Sequence, residues 1–300
     1  MKSFNTNFYM TRFFSYLAYA FCRFLSFLPL WVLYIFSDFV FFIIYRVIAY
    51  RKKVVNQNLR NSFPEKSSEE IRKIRKEFYH HFCDLFIETI KLWSISQEEI
   101  LKRCVCKNPD FYLPYKDQGK SIIAITGHYG NWEWLSSLAI HVVGEFLPIY
   151  KPLHNQVFDK MYIQIRERLG AKTLAKNDTL RTMIRHKNQG HFTITAFIGD
   201  QTPNRGNLHY WTNFLNQDTP ILQGAERIAK KLDQVVVYTK MTKIKRGYYE
   251  YEFIPITDKP KETEENEITE LHTRMLEDII NENPSYWLWT HKRWKHKRNS

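Results

Sequence analysis

Hydrophobic residues fall into three patterns along the chain, and each predicts a different kind of element. Over residues 13–50, Phe, Leu, Tyr, Ile and Val dominate, broken only at Arg23, Asp38 and Arg46. Over residues 65–93, Ile71, Ile74, Phe78, Phe82, Leu85, Phe86, Ile90 and Trp93 keep helical spacing behind a start signal of Ser67, Ser68, Glu69 and Glu70. Residues 121–126 are a compact β-branched run that ends at Gly127, the pattern of a strand buried on both faces. Further strands are expected at 146–150, 192–198, 235–239 and 248–256. Helices are expected at 131–143, 155–169, 221–231 and 264–280, with Gly170 closing the second. Alternating strands and helices predict an α/β fold, a mixed central sheet flanked by helices.

The N-terminal pattern points elsewhere. Its longest uncharged stretch, residues 24–37, contains Pro29. As a helix it spans roughly 21 Å, short of a hydrocarbon core of about 30 Å. A short apolar run with a small-residue cleavage site is missing, so a secretory signal peptide is not expected. Two arrangements stay open: a spanning helix that keeps Arg23 or Asp38 near an interface, or two helices lying in the headgroup region and broken near Pro29. Arg51, Lys52 and Lys53 come at once after it and favour the cytoplasmic side for the remainder. No repeat or polar linker divides the rest of the chain. The expected organisation is a membrane-anchoring helical segment at 1–50 and one domain at 51–300.

Composition narrows the partners. With 44% hydrophobic and 25% charged residues, the 300-residue chain is globular rather than disordered. Lys and Arg number 44 against 31 Asp and Glu, and the formal charge of +13 favours anionic partners. The 22 Phe, 18 Tyr and 8 Trp crowd the N-terminus among scattered arginines, a combination suited to lipid. Nucleic acid is not an expected partner, because no nucleic-acid motif accompanies the charge. The four cysteines show no metal spacing and read as reduced, inert thiols, so no metal site is expected.

One stretch carries candidate chemistry: Gly127-His128-Tyr129-Gly130-Asn131-Trp132-Glu133. A histidine followed five positions later by an acid is weak by spacing alone, since His154 with Asp159 and His272 with Glu277 repeat it. Context separates them. His272 and Glu277 fall in a polar helix read as solvated, and His154 falls in a connection. His128 lies where a buried strand turns into a helix, between two glycines that let a substrate approach the backbone. A helix starting near Asn131 would set Glu133 in its first turn, from which it would fix the tautomer of His128 and support the imidazolium. No Ser or Cys stands beside the pair as a nucleophile. The substrate must therefore supply one, an alcohol deprotonated by His128, and the reaction implied is acyl transfer to a hydroxyl.

The stretch resembles the His-x4-Asp/Glu motif of the lysophospholipid acyltransferase-like superfamily, and the chain as a whole resembles the late acyltransferases of lipid A biosynthesis. The matching blocks are Arg51 to Val55, Asn58-Leu59, Ser62 to Glu65, Gly127 to Glu133, Tyr150 to Leu153, Arg166 to Gly170, Asp200-Gln201 with Pro203, and Pro284 with Tyr286-Trp287, Trp289, His291, Arg293 and Lys295. Thr202 stands where many members carry a second acid. The resemblance implies an enzyme on the cytoplasmic face of the inner membrane, without metal or redox cofactor. It would move a fatty acyl chain from acyl carrier protein, or from acyl-CoA, to a hydroxyl of a phosphorylated glycolipid, the lipid A precursor. Another lipid acceptor, a lysophospholipid, aminolipid or glycolipid, is the alternative. It also implies roles: His128 as base, Glu133 as its support, and Arg166 as a cation for acceptor phosphate or oxyanion. Asp200 would hold Arg166. Asn131 and the amides around Gly130 would help the oxyanion, Arg168 would bind substrate, and the basic terminal group around His291 and Arg293 would grip headgroups or carrier protein.

Overall fold

Ile122–Thr126 is buried along its whole length and lies at the middle of a seven-stranded sheet. The computed structural model describes residues 2–298, with side chains from Arg12 onward. Met1, Asn299 and Ser300, the outer ends of the two expected segments, lie outside the described residues. The strands are β1 (Cys104–Cys106), β2 (Ile122–Thr126), β3 (Glu145–Tyr150), β4 (Leu174–Ala175), β5 (Thr193–Ile198), β6 (Trp211–Phe214), β7 (Gln217–Pro220), β8 (Val235–Lys245) and β9 (Tyr248–Thr257). The sheet runs β1-β9-β8-β2-β5-β3-β4, and β6 pairs only with β7. β2 is parallel to both neighbours, β5 and β8, while β8 and β9 form a long antiparallel hairpin, so the sheet is mixed.

The helices are α1 (Lys2–Phe27), α2 (Leu30–Phe41), α3 (Lys52–Ser62), α4 (Ser68–Lys91), α5 (Gln97–Arg103), α6 (Leu113–Asp117), α7 (Gln156–Glu167), α8 (Thr179–Asn188), α9 (Gly224–Leu232) and α10 (Glu267–Glu282). They cover both faces, which is why β2 reads as an unbroken apolar run. Ile122 and Ala124 join a core with residues of α1, α2, α4 and α7. Ile123 and Ile125, pointing the other way, join one with α8, α9 and α10. Ser67 starts α4 as the sequence predicts: its hydroxyl accepts from Glu70 N while Glu70 Oε2 accepts from Ser67 N at 2.8 Å. Such a reciprocal cap is worth about 1 kcal/mol.

Two expectations change. The helix expected at 131–143 is a 3₁₀ turn, Trp134–Ile140. Asn131 Oδ1 accepts from Trp134 N, and Ser136 Oγ donates to Glu133 O, local bonds that compete with α-helical pairing. At the N-terminus, Pro29 separates two helices, so residues 24–37 do not form one rod. α2 widens into a π turn at Phe42–Val47, and the stretch Leu30–Val47 is long and apolar enough to cross a membrane by length and composition. Inner faces of both helices dock on the sheet's helical layer. Tyr19 donates to Gln164 of α7, Tyr34 to Glu88 and Ser37 to Asp84 of α4, and Lys91 holds the carbonyls of Ser26 and Leu28. Their outer faces leave Phe24, Phe27, Trp31, Ile35 and Phe39 more than half exposed.

Candidate active site

The register of β2 and β5 builds the site. Thr126 is paired with Ile198 at the carboxyl ends of these parallel neighbours, and Gly199 N donates to Thr126 O at 3.0 Å. His128 and Asp200 therefore leave the sheet side by side, in the crevice where α/β folds bind ligands. His128 Nδ1 lies 2.6 Å from Asp200 Oδ1, and His128 N donates to Asp200 Oδ2 at 2.8 Å. Trp287 Nε1 donates to the same Oδ2 at 2.7 Å. Burial alone would raise the carboxyl of Asp200, but His128 and these donors hold it below the ordinary carboxylate range. Asp200 accordingly accepts the hydrogen bond of Nδ1–H and leaves Nε2 as the ring nitrogen turned to the crevice. Nε2 looks outward to the carboxamide of Gln201 at 3.2 Å, and Trp132 packs edge-on to the imidazole with centroids 4.9 Å apart.

Glu133 does not reach His128. Both its oxygens are taken by Arg166 on α7, Nε to Oε2 at 2.8 Å and Nη2 to Oε1 at 2.7 Å. Glu133 is buried, which works to raise its carboxyl, yet Arg166 keeps it lowered. The expected partners are thus exchanged: Asp200 orients the histidine rather than Arg166, and Glu133 orients Arg166. The 3₁₀ geometry is the reason, because Glu133 precedes the turn and faces α7. Nη1 of Arg166 is the end of the guanidinium this ion pair leaves over.

Asn131 and Gly130 also take other work. Asn131 is fully buried, its Nδ2 donating to Glu88 at 2.7 Å while its Oδ1 caps the 3₁₀ turn and its N–H points to Met241 Sδ. The Gly130 amide donates to Tyr286 O at 3.0 Å. Neither group is free to hold an oxyanion. Gly130 has φ +61, and a Cβ there would come within 2.9 Å of Met241, so only glycine fits the turn. Arg168 lies at the exposed C-terminal end of α7, where Arg23 faces it, outside the crevice.

The C-terminal segment straps the turn that carries His128. Leu288 N donates to His128 O, Tyr129 bridges Trp287, and His291 Nε2 accepts from Thr202 N. Arg293 is 1% exposed, and Trp289 is fully buried. Arg293 is thus enclosed in the site's rear wall, with His291 tied to Thr202, rather than standing out to grip headgroups or carrier protein as expected. His272, expected on a solvated helix, is buried behind Asp200, where burial lowers it to about 4. Trp287 and Gln201 stood in the matched sequence blocks, but nothing in their local pattern announced contact with His128 or Asp200. All four cysteines are free and buried. Among the described residues no group of three or more His, Cys, Asp or Glu is placed to hold a metal.

Residues 1–296 match the family model described as bacterial lipid A biosynthesis acyltransferase. The chain is 22% identical over 247 residues to the lipid A biosynthesis palmitoleoyltransferase of Escherichia coli (strain K12), covering 82% of this chain and 79% of that one. It is related to the same extent to the lipid A biosynthesis acyltransferase of Shigella flexneri.

Proposed function

The chain belongs to the bacterial lipid A biosynthesis acyltransferase family, and from that premise we propose that His128, oriented by Asp200, is the general base of acyl transfer to a lipid hydroxyl. The carrying observation is the 2.6 Å contact of His128 Nδ1 with Asp200, which directs Nε2 into the crevice. Nε2 takes the proton of the acceptor hydroxyl as its oxygen attacks the thioester carbonyl. The tetrahedral adduct then expels the thiolate, which recovers that proton from the imidazolium. Asp200 holds the tautomer and balances the imidazolium charge. Glu133 fixes Arg166, whose remaining donors meet an anionic oxygen of the bound lipid.

The donor is the thioester of acyl carrier protein, and the acceptor is a hydroxyl on an acyl chain of a phosphorylated lipid A precursor. Both partners are anionic, and the charge of +13 attracts both. The aromatic outer faces of α1 and α2 seat the enzyme on the inner membrane, with the crevice on the cytoplasmic face. Arg168, beside Arg23, lies where headgroup phosphate is reached from that seat. The test is turnover of an acyl carrier protein thioester with a phosphorylated, hydroxyacylated glycolipid. Purified His128→Ala should fold, fractionate with membranes and lose at least about 10²–10⁴ of the rate. Near-normal turnover would end the base assignment, and transfer to a lysophospholipid or aminolipid alone would replace the acceptor.

A further inference from the structure

Behind Asp200, on the side away from the crevice, lies a small cavity of about 10 Å³ lined by Asp200, Arg293, Tyr238, His272, Thr126 and Thr273. Arg293 is an unusual wall for it. The guanidinium is buried, Nη2 donates to Pro220 O at 2.7 Å, and Nε and Nη1 find no partner among the described residues. The Tyr238 hydroxyl is likewise unpartnered among them. A buried charge held by one carbonyl is costly unless an opposite charge lies near, and the carboxylate sharing its cavity is Asp200. Burial, opposed by Asp200, brings Arg293 down to about 10, so it stays charged at neutral pH.

A base needs a neutral resting imidazole. A buried carboxylate with no other counter-charge would draw a proton onto the histidine beside it and disable it. Resting on the assignment of His128 as base, we infer that Arg293 is a positioning residue, the standing counter-charge that lets Asp200 remain ionised while His128 stays unprotonated. The groups facing Asp200 are His128 from the turn after β2, Tyr238 from β8, His272 from α10, and His291 with Arg293 from the C-terminal segment. Glu133, already paired with Arg166, faces His128. Of those around Asp200, Arg293 carries the permanent positive charge, since burial keeps His272 and His291 neutral near pH 7.

Arg293→Met and Arg293→Lys are compared in the full-length protein, with His128→Ala as reference. Removing one member of a buried charge pair destabilises a fold, so Arg293→Gln, which keeps a donor for Pro220 O, serves where Met fails to fold. In the neutral variant kcat at pH 7 should fall about 10–100-fold with KM for both substrates within about threefold. The acid limb of kcat/KM should move up by about one pH unit, because the histidine then holds its proton to higher pH. Arg293→Lys should return the limb toward wild type. An unshifted limb in the neutral variant, or an equal shift in Arg293→Lys, overturns the inference while leaving the base assignment intact. Activity in His128→Ala overturns the base assignment itself.

Discussion

Two acid-bearing pairs stand near each other in the crevice and do opposite things. His128 and Asp200 are joined by one ring nitrogen, which leaves the other for a proton. Glu133 and Arg166 are joined by two parallel bonds that engage both carboxylate oxygens and leave guanidinium donors over. Asp200 sits on the end of a strand, fixed by the sheet's register and by Trp287. Glu133 sits beside a 3₁₀ turn and takes its position from a helix across the crevice. The difference teaches that the first pair leaves one ring nitrogen uncommitted, whereas the second commits both carboxylate oxygens to the cation.

That contrast can be broken most sharply at Asp200. Asp200→Asn keeps the shape but cannot enforce the tautomer, and kcat should fall about 10²–10⁴-fold with acceptor KM changed little. Steady-state kinetics with the acceptor varied measures it, and an unchanged kcat would detach Asp200 from the base. Glu133→Gln should act on the other axis. Arg166 loses its bidentate anchor, so acceptor KM should rise about tenfold and kcat fall by less than in Asp200→Asn. Equal kinetic profiles for the two variants would erase the distinction between the pairs. Arg166→Lys, which keeps charge and loses the fork, should give a milder version of the same KM effect.

The smallest effect is on stability and concerns the interior behind Asp200. His272 is lowered to about 4 by burial, against about 6.5 in an unfolded chain. Between those values the unfolded state binds the extra proton, so stability should be full above pH 6.5 and decline toward pH 4, by on the order of 3 kcal/mol. Urea unfolding at stepped pH measures the slope, which His272→Gln should flatten. Glu133, buried and lowered by Arg166, adds its own loss only as pH falls below the ordinary carboxylate value of 4.5.

Much of the scaffold was legible because it is local. The apolar run at 122–126, the capping box at Ser67 and the helix start at Asn155 each depend on neighbours within a few positions, and each forms as the pattern predicts. The 3₁₀ turn was not legible, because Asn131 and Ser136 redirect backbone bonds that apolar spacing alone assigns to an α-helix. Nor was the burial of His272 and Arg293, since both lie on polar stretches that face a cavity only after α10 and the C-terminal strap close over it.

The chain's order of residues by itself determined that a histidine would stand on a turn leaving a buried strand. Only the tertiary structure decided which acid meets it. β2 and β5 are separated by long stretches of chain, and their parallel register, set by side chains buried on both faces, brings Asp200 to the imidazole. Glu133, five positions away, is carried by the local backbone toward α7, where a buried carboxylate finds the guanidinium it needs.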